Sequence, residues 1–269
     1  MKFMIRNIFK ALTCLCAFGM APLVSGPAHA QDPVTAELRP GWRLPDGDHM
    51  AALHLRLAPG WKTYWRAPGE AGIPPVFDWS GSSNVARVSA LWPTPHVFRQ
   101  SGARSVGYKD ELVLPLRIAG TGGPVMLEAN MMIGVCSDIC VPQTLHVTAA
   151  LPDSSSVDPM IAAALAETPF TAREARVSAV RCTVSPAKGG VKLRTEIDMP
   201  AIPGPEETVV EAGQPELWAS EPNTRRQGGT LISETRLMHM EGKPFALDRS
   251  KLRFTVLGES QAVDIQGCG

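Results

Sequence analysis

The alternation of apolar and polar residues with a period of two is the feature that most constrains the fold of this chain. In residues 50–57, three leucines fall on one face of an extended chain, and His54 and Arg56 fall on the other. The same pattern recurs in three further segments, residues 112–118, 191–197 and 251–256. This period is that of half-buried antiparallel strands. Pro115 interrupts one run and predicts an edge strand or a bulge there, because proline has no amide hydrogen to donate.

One segment indicates a helix instead of a strand. Asp158 can accept hydrogen bonds from the first free amides of a helix, and Pro159 suits its first position. Residues 160–167 are mostly alanine and other apolar residues, and Thr168-Pro169 ends the segment. Residues 152–156 precede it as a polar linker. A linker and a short helix between two strand-rich halves predict a domain boundary.

We therefore predict an all-β protein with two immunoglobulin-like antiparallel β-sandwich domains, joined by a linker with one short helix. The predicted divisions are residues 1–30 (signal peptide), 32–152 (first domain), 153–169 (linker and helix) and 170–269 (second domain). The alternative is one continuous large sandwich with the helix packed across an open end.

The first 30 residues indicate export. Residues 1–10 are basic, residues 11–24 are mostly apolar, and Ala28-His29-Ala30 places small residues where a signal peptidase reads, so cleavage is expected before Gln31. A retained membrane anchor is the alternative. Proline and glycine cut the apolar run below the ~18–20 residues of a spanning helix, and no later stretch reaches that length. The mature chain is therefore not expected to span a membrane.

The charge of the mature chain argues against nucleic acid as a partner. The whole chain has 26 basic and 26 acidic side chains, and residues 1–30 hold three of the basic ones and no acidic one. The mature chain thus carries 23 basic and 26 acidic groups, a net charge of −3. Neutralising phosphates requires a basic surface, which this balance does not provide.

Four cysteines remain after export, Cys136, Cys140, Cys182 and Cys268. An even number in an exported chain favours disulfides, and four cysteines allow three connectivities. Closing the short loop from Cys136 to Cys140 would stabilise the fold by only about 2 kcal/mol, against about 4.6 kcal/mol for joining Cys182 to Cys268. We favour these two bridges over mixed pairings or free thiols. The long bridge would be structural, and the short one is of the labile kind used in exchange.

Five sequence blocks stand in order in the first half: PGWKTYWR (59–66), GIPP (72–75) with FDWS (77–80), WP (92–93), GYKDELVLP (107–115) and the cysteine segment through Pro142. By their order and spacing, residues from about 38 to 147 resemble the amino-terminal periplasmic domain of DsbD, and more closely its ScsB-type relatives. The second half resembles the further sandwich domain that precedes the membrane part in the ScsB type.

The resemblance implies an immunoglobulin-like fold and a redox function. In that family a cysteine pair receives electrons from a membrane-embedded partner and passes them to oxidised periplasmic thioredoxin-like proteins. By position, Cys136 and Cys140 match the redox pair. Phe98 matches an aromatic residue on a cap loop that shields the cysteines, and Tyr64 matches an aromatic residue near the same site. Phe98 would cover the bridge and swing away when a partner docks.

Two departures from the family pattern concern this site. Three residues separate Cys136 and Cys140, whereas the DsbD type has five. Residues 94–97 (Thr-Pro-His-Val) stand where the DsbD cap carries acidic residues.

No cationic residue adjoins the pair in the sequence, and Asp138 between the cysteines should oppose thiolate formation. The sequence leaves open which sulfur a partner attacks; our hypothesis is that Cys140 is buried and Cys136 is the exchanging member.

A copper or zinc site is an alternative use of the soft ligands. Cys136, Cys140 and His146 could contribute, as could the pairs and triplets Met131-Met132 and Met238-His239-Met240. In a strand, however, the histidine of the triplet would face away from its methionines. We therefore expect no metal and no cofactor.

Together these features predict a periplasmic thiol–disulfide exchange protein, acting as a protein-disulfide reductase component through Cys136 and Cys140. Its expected partners are periplasmic thioredoxin-like proteins and a separate membrane electron conductor, because the chain lacks the membrane and thioredoxin-like domains of longer relatives. The alternative is a non-catalytic immunoglobulin-like adaptor with purely structural disulfides and a link to copper tolerance.

Overall fold

The computed structural model describes residues 32–100 and 102–269, and the predicted signal peptide of residues 1–30 lies outside the described residues. The strands of the first half are Val34–Arg43 (β1), His49–Leu57 (β2), Lys62–Tyr64 (β3), Val76–Asp78 (β4), Val85–Ala90 (β5), His96–Gln100 (β6), Ala103–Lys109 (β7), Glu111–Gly120 (β8), Val125–Cys136 (β9) and Cys140–Leu151 (β10). The helix α1 follows at Pro159–Ala166. The strands of the second half are Phe170–Thr171 (β11), Ala179–Ala187 (β12), Gly190–Asp198 (β13), Glu207–Glu211 (β14), Leu217–Ala219 (β15), Asn223–Gln227 (β16), Thr230–His239 (β17), Arg253–Leu257 (β18) and Ala262–Gln266 (β19), with a 3-10 turn at Arg249–Lys251.

Each half of the chain forms two sheets. In the first half, one sheet has the order β1-β2-β8-β5, and the other has the order β10-β9-β3-β7-β6 with β4 paired to β9. In the second half, the orders are β11-β19-β18-β14 and β12-β13-β17-β15, with β16 also on β17. All pairings are antiparallel apart from the short β11–β19 pair. The predicted all-β fold of antiparallel sandwiches with a short helix between them is confirmed.

The alternating leucines of β2 point into the first core, as their spacing predicts. Leu53 and Leu55 are buried against residues of the facing sheet such as Leu127 and Ile133. His54, on the opposite face of β2, is also buried, because its ring nitrogens meet the carboxylates of Glu37 and Glu111. A second cluster fills the second half, with Phe254 and Val256 among its fully buried members.

The two halves share apolar packing. The first core takes in three residues of the second half, Val209, Leu257 and Ala262. Residues Asp32–Gly269 accordingly form one compact unit. The division into two domains at residues 152 and 170 stays a prediction. Because the halves pack against each other, it can be tested by asking whether they unfold together or separately.

Helix α1 begins where the sequence predicts. The Asp158 carboxylate accepts hydrogen bonds from the amides of Met160 and Ile161, and it also binds the Arg39 guanidinium. Burial of Ile161 beside Trp42 and Ala52 fixes the helix against the outer face of the β1-β2-β8-β5 sheet. The helix therefore covers a sheet face and does not close an open end of a sandwich.

The edge position or bulge predicted from Pro115 is wrong. Pro115 lies in β8, which runs between β2 and β5 in the middle of its sheet. The Leu91 amide donates to the Pro115 carbonyl just beyond the end of β5. Because the N and C=O of one strand residue point to the same side, the missing amide hydrogen of Pro115 falls where the neighbouring strand has already ended.

In the described part of the chain, none of the helices has the length and apolar character needed to cross a membrane.

Candidate redox site

Cys136 and Cys140 close the longest hairpin of the first half. Strands β9 and β10 pair over twelve positions, and Cys136 and Cys140 are the last directly opposed pair. Residues 137–139 form the turn beyond them. The two cysteines are joined by a disulfide with 4.1 Å between their α-carbons, and Cys182 is joined to Cys268. The connectivity is the one that the spacing favoured.

The two sulfurs differ in accessibility, and our hypothesis that Cys140 is the buried member is wrong. Cys136 is 3% exposed, whereas Cys140 is an exposed residue. Strand order is the reason. Cys136 lies on β9, which has β10 on one side and β3 on the other, whereas Cys140 begins β10, the edge strand. Ile139, next to Cys140 in the turn, is 66% exposed. Cys140 is therefore the more accessible of the two cysteines.

Tyr64 lies at the exposed sulfur. Its hydroxyl is 3.1 Å from Cys140 Sγ and 3.4 Å from the carbonyl oxygen of Ala71. A disulfide sulfur has no proton, so the hydroxyl can only donate toward Cys140, and its one proton is shared between this sulfur and the Ala71 carbonyl. The Tyr64 ring is buried, and this burial raises the pKa of the Tyr64 phenol. The hydroxyl thus keeps its proton at neutral pH and remains a hydrogen-bond donor.

A glycine makes room for the Tyr64 ring. A β-carbon added at Gly134 would lie 2.7 Å from Tyr64 Cδ2 and 2.7 Å from the β-carbon of Ile73. The Thr63 hydroxyl, on the core side of the same strand, donates to the Gly134 carbonyl at 2.9 Å. Thus β3 is held against β9 on both faces of the sheet, and the position of the tyrosine relative to the disulfide is fixed by packing.

Lys62 is a cation beside the pair, and it is not among the site residues that the sequence predicts. Lys62 is the residue of β3 directly opposite Cys136. The Lys62 ammonium donates to the Gln100 side-chain oxygen at 2.9 Å and lies 5.3 Å from the centre of the Phe98 ring. The signal was available in principle, because Lys62 and Tyr64 are two residues apart in a strand and must share a face. The pairing of β3 with β9, which places Lys62 opposite Cys136, cannot be predicted from the local sequence.

Gln100 connects this cation to the turn of the hairpin. Its side-chain amide donates to the Ser137 carbonyl at 3.1 Å. Two hydrogen bonds thus connect Lys62 on β3, through Gln100 on β6, to Ser137 in the turn after β9. A cavity of 170 Å³ lies here, with Cys136 and Cys140 in its wall together with Lys62, Tyr64, Ala71, Gln100, Ala103, Ser105, Ser137 and Asp138. The cavity thus lies directly beside the disulfide.

The first half has a recognised family. Residues 31–152 match the family described as "Thiol:disulfide interchange protein DsbD, N-terminal". This half belongs to the DsbD amino-terminal family. The resemblance indicated by the five sequence blocks is thereby confirmed, and the family's general association with thiol–disulfide interchange applies to this half.

A solved structure covers both halves. The N-terminal periplasmic domain of ScsB from Proteus mirabilis is similar over 88% of this chain and 92% of that chain, with a TM-score of 0.66 and 23% sequence identity. At this identity the likeness concerns the fold, and it extends the agreement to the second sandwich. A comparison with curated proteins gave no match.

Phe98, the predicted cap aromatic, lies on β6. Phe98 pairs with Ser105 of β7, and its ring lies near Lys62 and His96. Phe98 is not part of the cavity wall described above. Gln100, two residues further along the same strand face, is the β6 residue that reaches the cysteine turn. A cap function for Phe98 stays a prediction.

The alternative metal ligands do not converge. Within residues 32–100 and 102–269, no group of three or more His, Cys, Asp or Glu side chains is arranged to hold a metal ion. His146 instead meets Glu128 at 3.2 Å. Met238 and His239 are consecutive residues of β17 and so face opposite sides of the sheet. The His239 ring accepts a hydrogen bond from the Glu241 amide.

Proposed function

We propose that this protein exchanges disulfides with other proteins through Cys136 and Cys140, and that Cys140 is the sulfur attacked by the partner. The observation that carries this proposal is the contrast within the pair: Cys140 is exposed at the edge of the sheet, and Cys136 is 3% exposed. Nucleophilic attack on a disulfide requires access to one sulfur and a departing thiolate on the other.

The protein accepts electrons in two exchange steps. A thiolate of a reduced partner bonds to Cys140 Sγ while the Cys136–Cys140 bond breaks, and its electron pair stays on Cys136 as a thiolate. The partner's second thiolate then attacks the partner's first sulfur in the mixed disulfide. The partner thereby becomes oxidised, and Cys140 is released as a thiolate. In delivery, the Cys140 thiolate attacks an oxidised partner and the Cys136 thiolate resolves the mixed disulfide.

Comparison with the second disulfide supports a structural role for one bridge and an exchange role for the other. The Cys182–Cys268 bridge spans 86 positions and joins the first long strand of the second half to its end, with Cys182 buried. The Cys136–Cys140 bridge spans four. The chain-entropy estimate gives the long bridge about 4.6 kcal/mol and the short one about 2 kcal/mol. A short bridge at an accessible hairpin end suits exchange better than stabilisation.

For partners, we propose periplasmic thioredoxin-like proteins on one side and a membrane electron conductor on the other, with the exchange taking place in the periplasm. The family assignment of residues 31–152 and the likeness to a periplasmic domain of ScsB support this proposal. The opposing function is an adaptor whose short bridge only fastens a turn.

The reduction potential of the short bridge distinguishes exchange from fastening. The purified protein would be equilibrated in glutathione or dithiothreitol buffers, alkylated, and analysed by mass spectrometry of the two cysteine-containing peptides. Exchange predicts a potential for Cys136–Cys140 near those of disulfide-exchange proteins, with Cys182–Cys268 still oxidised. A potential below roughly −300 mV for the short bridge would identify a structural disulfide and end the proposal.

The order of attack is tested by trapping. Cys136→Ala leaves the exposed sulfur and Cys140→Ala leaves the buried one, so each variant is the other's matched control. The probe is a thioredoxin-like protein that retains only its attacking cysteine, activated as a mixed disulfide with thionitrobenzoate. We expect the Cys136→Ala variant to form the covalent complex at least about tenfold faster, because only its thiol is accessible. Equal rates would contradict the assignment of Cys140.

A further inference from the structure

Cys136 has a lysine as its direct neighbour across the sheet. Lys62 on β3 pairs with Cys136 on β9, and directly opposed residues of antiparallel strands project from the same face with β-carbons about 4.5–5.5 Å apart. The Lys62 side chain is long enough to reach the sulfur from there. Both residues line the 170 Å³ cavity beside the disulfide.

In the disulfide form, the Lys62 ammonium is held by neutral groups. It donates to the amide oxygen of Gln100 at 2.9 Å and lies over the Phe98 ring at 5.3 Å. Among the residues that the structure describes, its partners are these two uncharged side chains, and no carboxylate forms an ion pair with it. The half-buried setting lowers the pKa of Lys62 by desolvation. The cation is therefore partly desolvated and has no negative partner while the disulfide is intact.

We propose that Lys62 stabilises the Cys136 thiolate that forms when a partner attacks Cys140. This rests on the proposed function, in which the breaking Cys136–Cys140 bond leaves its electron pair on Cys136. A thiolate 3% exposed would be costly to form without a nearby cation. The Lys62 ammonium turns from Gln100 to this sulfur and donates to it. In the resolving direction, the same cation keeps Cys136 deprotonated and able to attack.

The other charged groups near Cys136 do not supply this stabilisation. Lys109, opposite Lys62 on β7, is exposed to solvent and one strand further away. Asp138 lies in the turn and would oppose a thiolate. The Tyr64 hydroxyl is directed at Cys140. Lys62 is thus the cation on the strand adjoining Cys136.

The test compares Lys62→Met with Lys62→Arg in the full mature chain. Each substitution is made in the Cys140→Ala background, with Lys62 unchanged as the reference, so that the titrated thiol is that of Cys136 while mass analysis shows Cys182–Cys268 intact. The thiolate absorbance at 240 nm is followed against pH. Lys62→Met retains the apolar stem and removes the charge, and Lys62→Arg retains the charge. We expect Lys62→Met to lower the thiolate population at pH 7 about tenfold and Lys62→Arg to stay close to wild type. Lys109→Met is the control for removing a nearby charge and should leave the titration unchanged.

This titration needs no partner protein, so the inference can fail separately from the proposed function. If Lys62→Met titrates like wild type while wild type still exchanges with the thioredoxin-like probe, the role of Lys62 is overturned and the exchange function stands. If wild type does not exchange at all, the proposed function fails. A parallel fall in Lys62→Met and Lys62→Arg, with unchanged thermal unfolding, would also overturn the inference, since charge would not be the cause.

Discussion

The Tyr64 hydroxyl lies 3.1 Å from Cys140 Sγ and donates toward it, at the cysteine of the pair that is exposed to solvent. The phenol ring is buried in a space that exists because Gly134 has no side chain. A fixed donor at an exchanging sulfur stabilises negative charge there more than a mobile water does, because no reorganisation is needed when the charge forms. The resemblance predicts an aromatic residue near the site, and the contact of Tyr64 with Cys140 gives that residue the role of a hydrogen-bond donor.

Removing this hydroxyl should slow exchange without unfolding the protein. In Tyr64→Phe, the Cys140 thiolate loses one donor worth about 0.5–1.5 kcal/mol, so we expect a two- to tenfold slower reaction of the reduced pair with a small aromatic disulfide at pH 7. The rate would be measured by stopped-flow absorbance of the released thiol. Tyr108→Phe is the matched control, since the Tyr108 hydroxyl donates to the Pro93 carbonyl away from the cysteines. A slowing of equal size in both variants would mean that the hydroxyl at Cys140 has no specific effect.

A side chain at position 134 should displace the tyrosine. In Gly134→Ala, the new methyl group would meet Tyr64 Cδ2 and the Ile73 side chain at 2.7 Å. Overpacking of this kind costs about 1–3 kcal/mol, and we expect that loss in the free energy of unfolding by urea together with slower exchange. Gly229→Ala provides the comparison, because no atom lies within 4 Å of a β-carbon there. If both variants unfold at the same urea concentration, the ring does not depend on the glycine.

The local pattern predicted most strands and the helix, because periodicity and capping act over a few residues. The Leu53 and Leu55 face of β2 and the Asp158 cap are examples. The pairing of Cys136 with Cys140 followed from spacing. The burial of the two sulfurs could not be predicted in this way, since both lie on the same face of one hairpin. What separates them is that β9 has a neighbour on each side and β10 does not.

Long-range strand order also explains the other errors. The sequence alone does not associate Lys62 with the site, because Lys62 is 74 positions from Cys136 in the chain and becomes its neighbour only when β3 pairs with β9. Pro115 was predicted at an edge because the sequence does not show that β5 ends beside it. Neither residue breaks a local rule. Each depends on which strands the fold places together.

An ion pair between the halves should couple their unfolding. Arg104 on β7 has a side chain only 5% exposed, and its Nε donates to Glu207 of β14 at 2.7 Å. Glu207 also binds Arg99 at 2.7 Å. In Glu207→Gln, the buried guanidinium loses the nearer of its two carboxylates, and Glu221 remains at 3.6 Å. With Glu207 partly exposed, we expect a loss of about 1–3 kcal/mol in the free energy of unfolding.

The measurement is urea unfolding followed by tryptophan fluorescence and by far-ultraviolet circular dichroism. Wild type should show coincident transitions, because the first core includes residues of the second half. Glu241→Gln, in an exposed pair with Lys243, should leave the midpoint where it is. A Glu207→Gln midpoint equal to that of the control would show that the halves are not coupled through Arg104.

His49 should make the protein less stable in mild acid. The His49 side chain is 2% exposed, and neither ring nitrogen has a hydrogen-bond partner among the described residues. Burial and the nearby Arg43 lower the pKa of His49 below its ordinary value, against the opposing effects of the Pro40 carbonyl, which lies outside hydrogen-bonding geometry, and of Asp153. In the unfolded chain the imidazole takes up a proton near pH 6.5, before the folded protein does. Stability is therefore complete above about pH 6.5 and falls as the pH decreases from there toward the lowered pKa of the folded state.

Replacing the imidazole should remove this part of the pH dependence. We expect the free energy of unfolding of His49→Leu to fall less between pH 7.5 and pH 5 than that of wild type, whatever its absolute value. Urea denaturation at both pH values measures the difference. His146→Gln is the control, since His146 is exposed beside Glu128. A pH dependence in His49→Leu as steep as in wild type would mean that the buried imidazole accepts its proton in the folded state, and that other groups cause the loss of stability in acid.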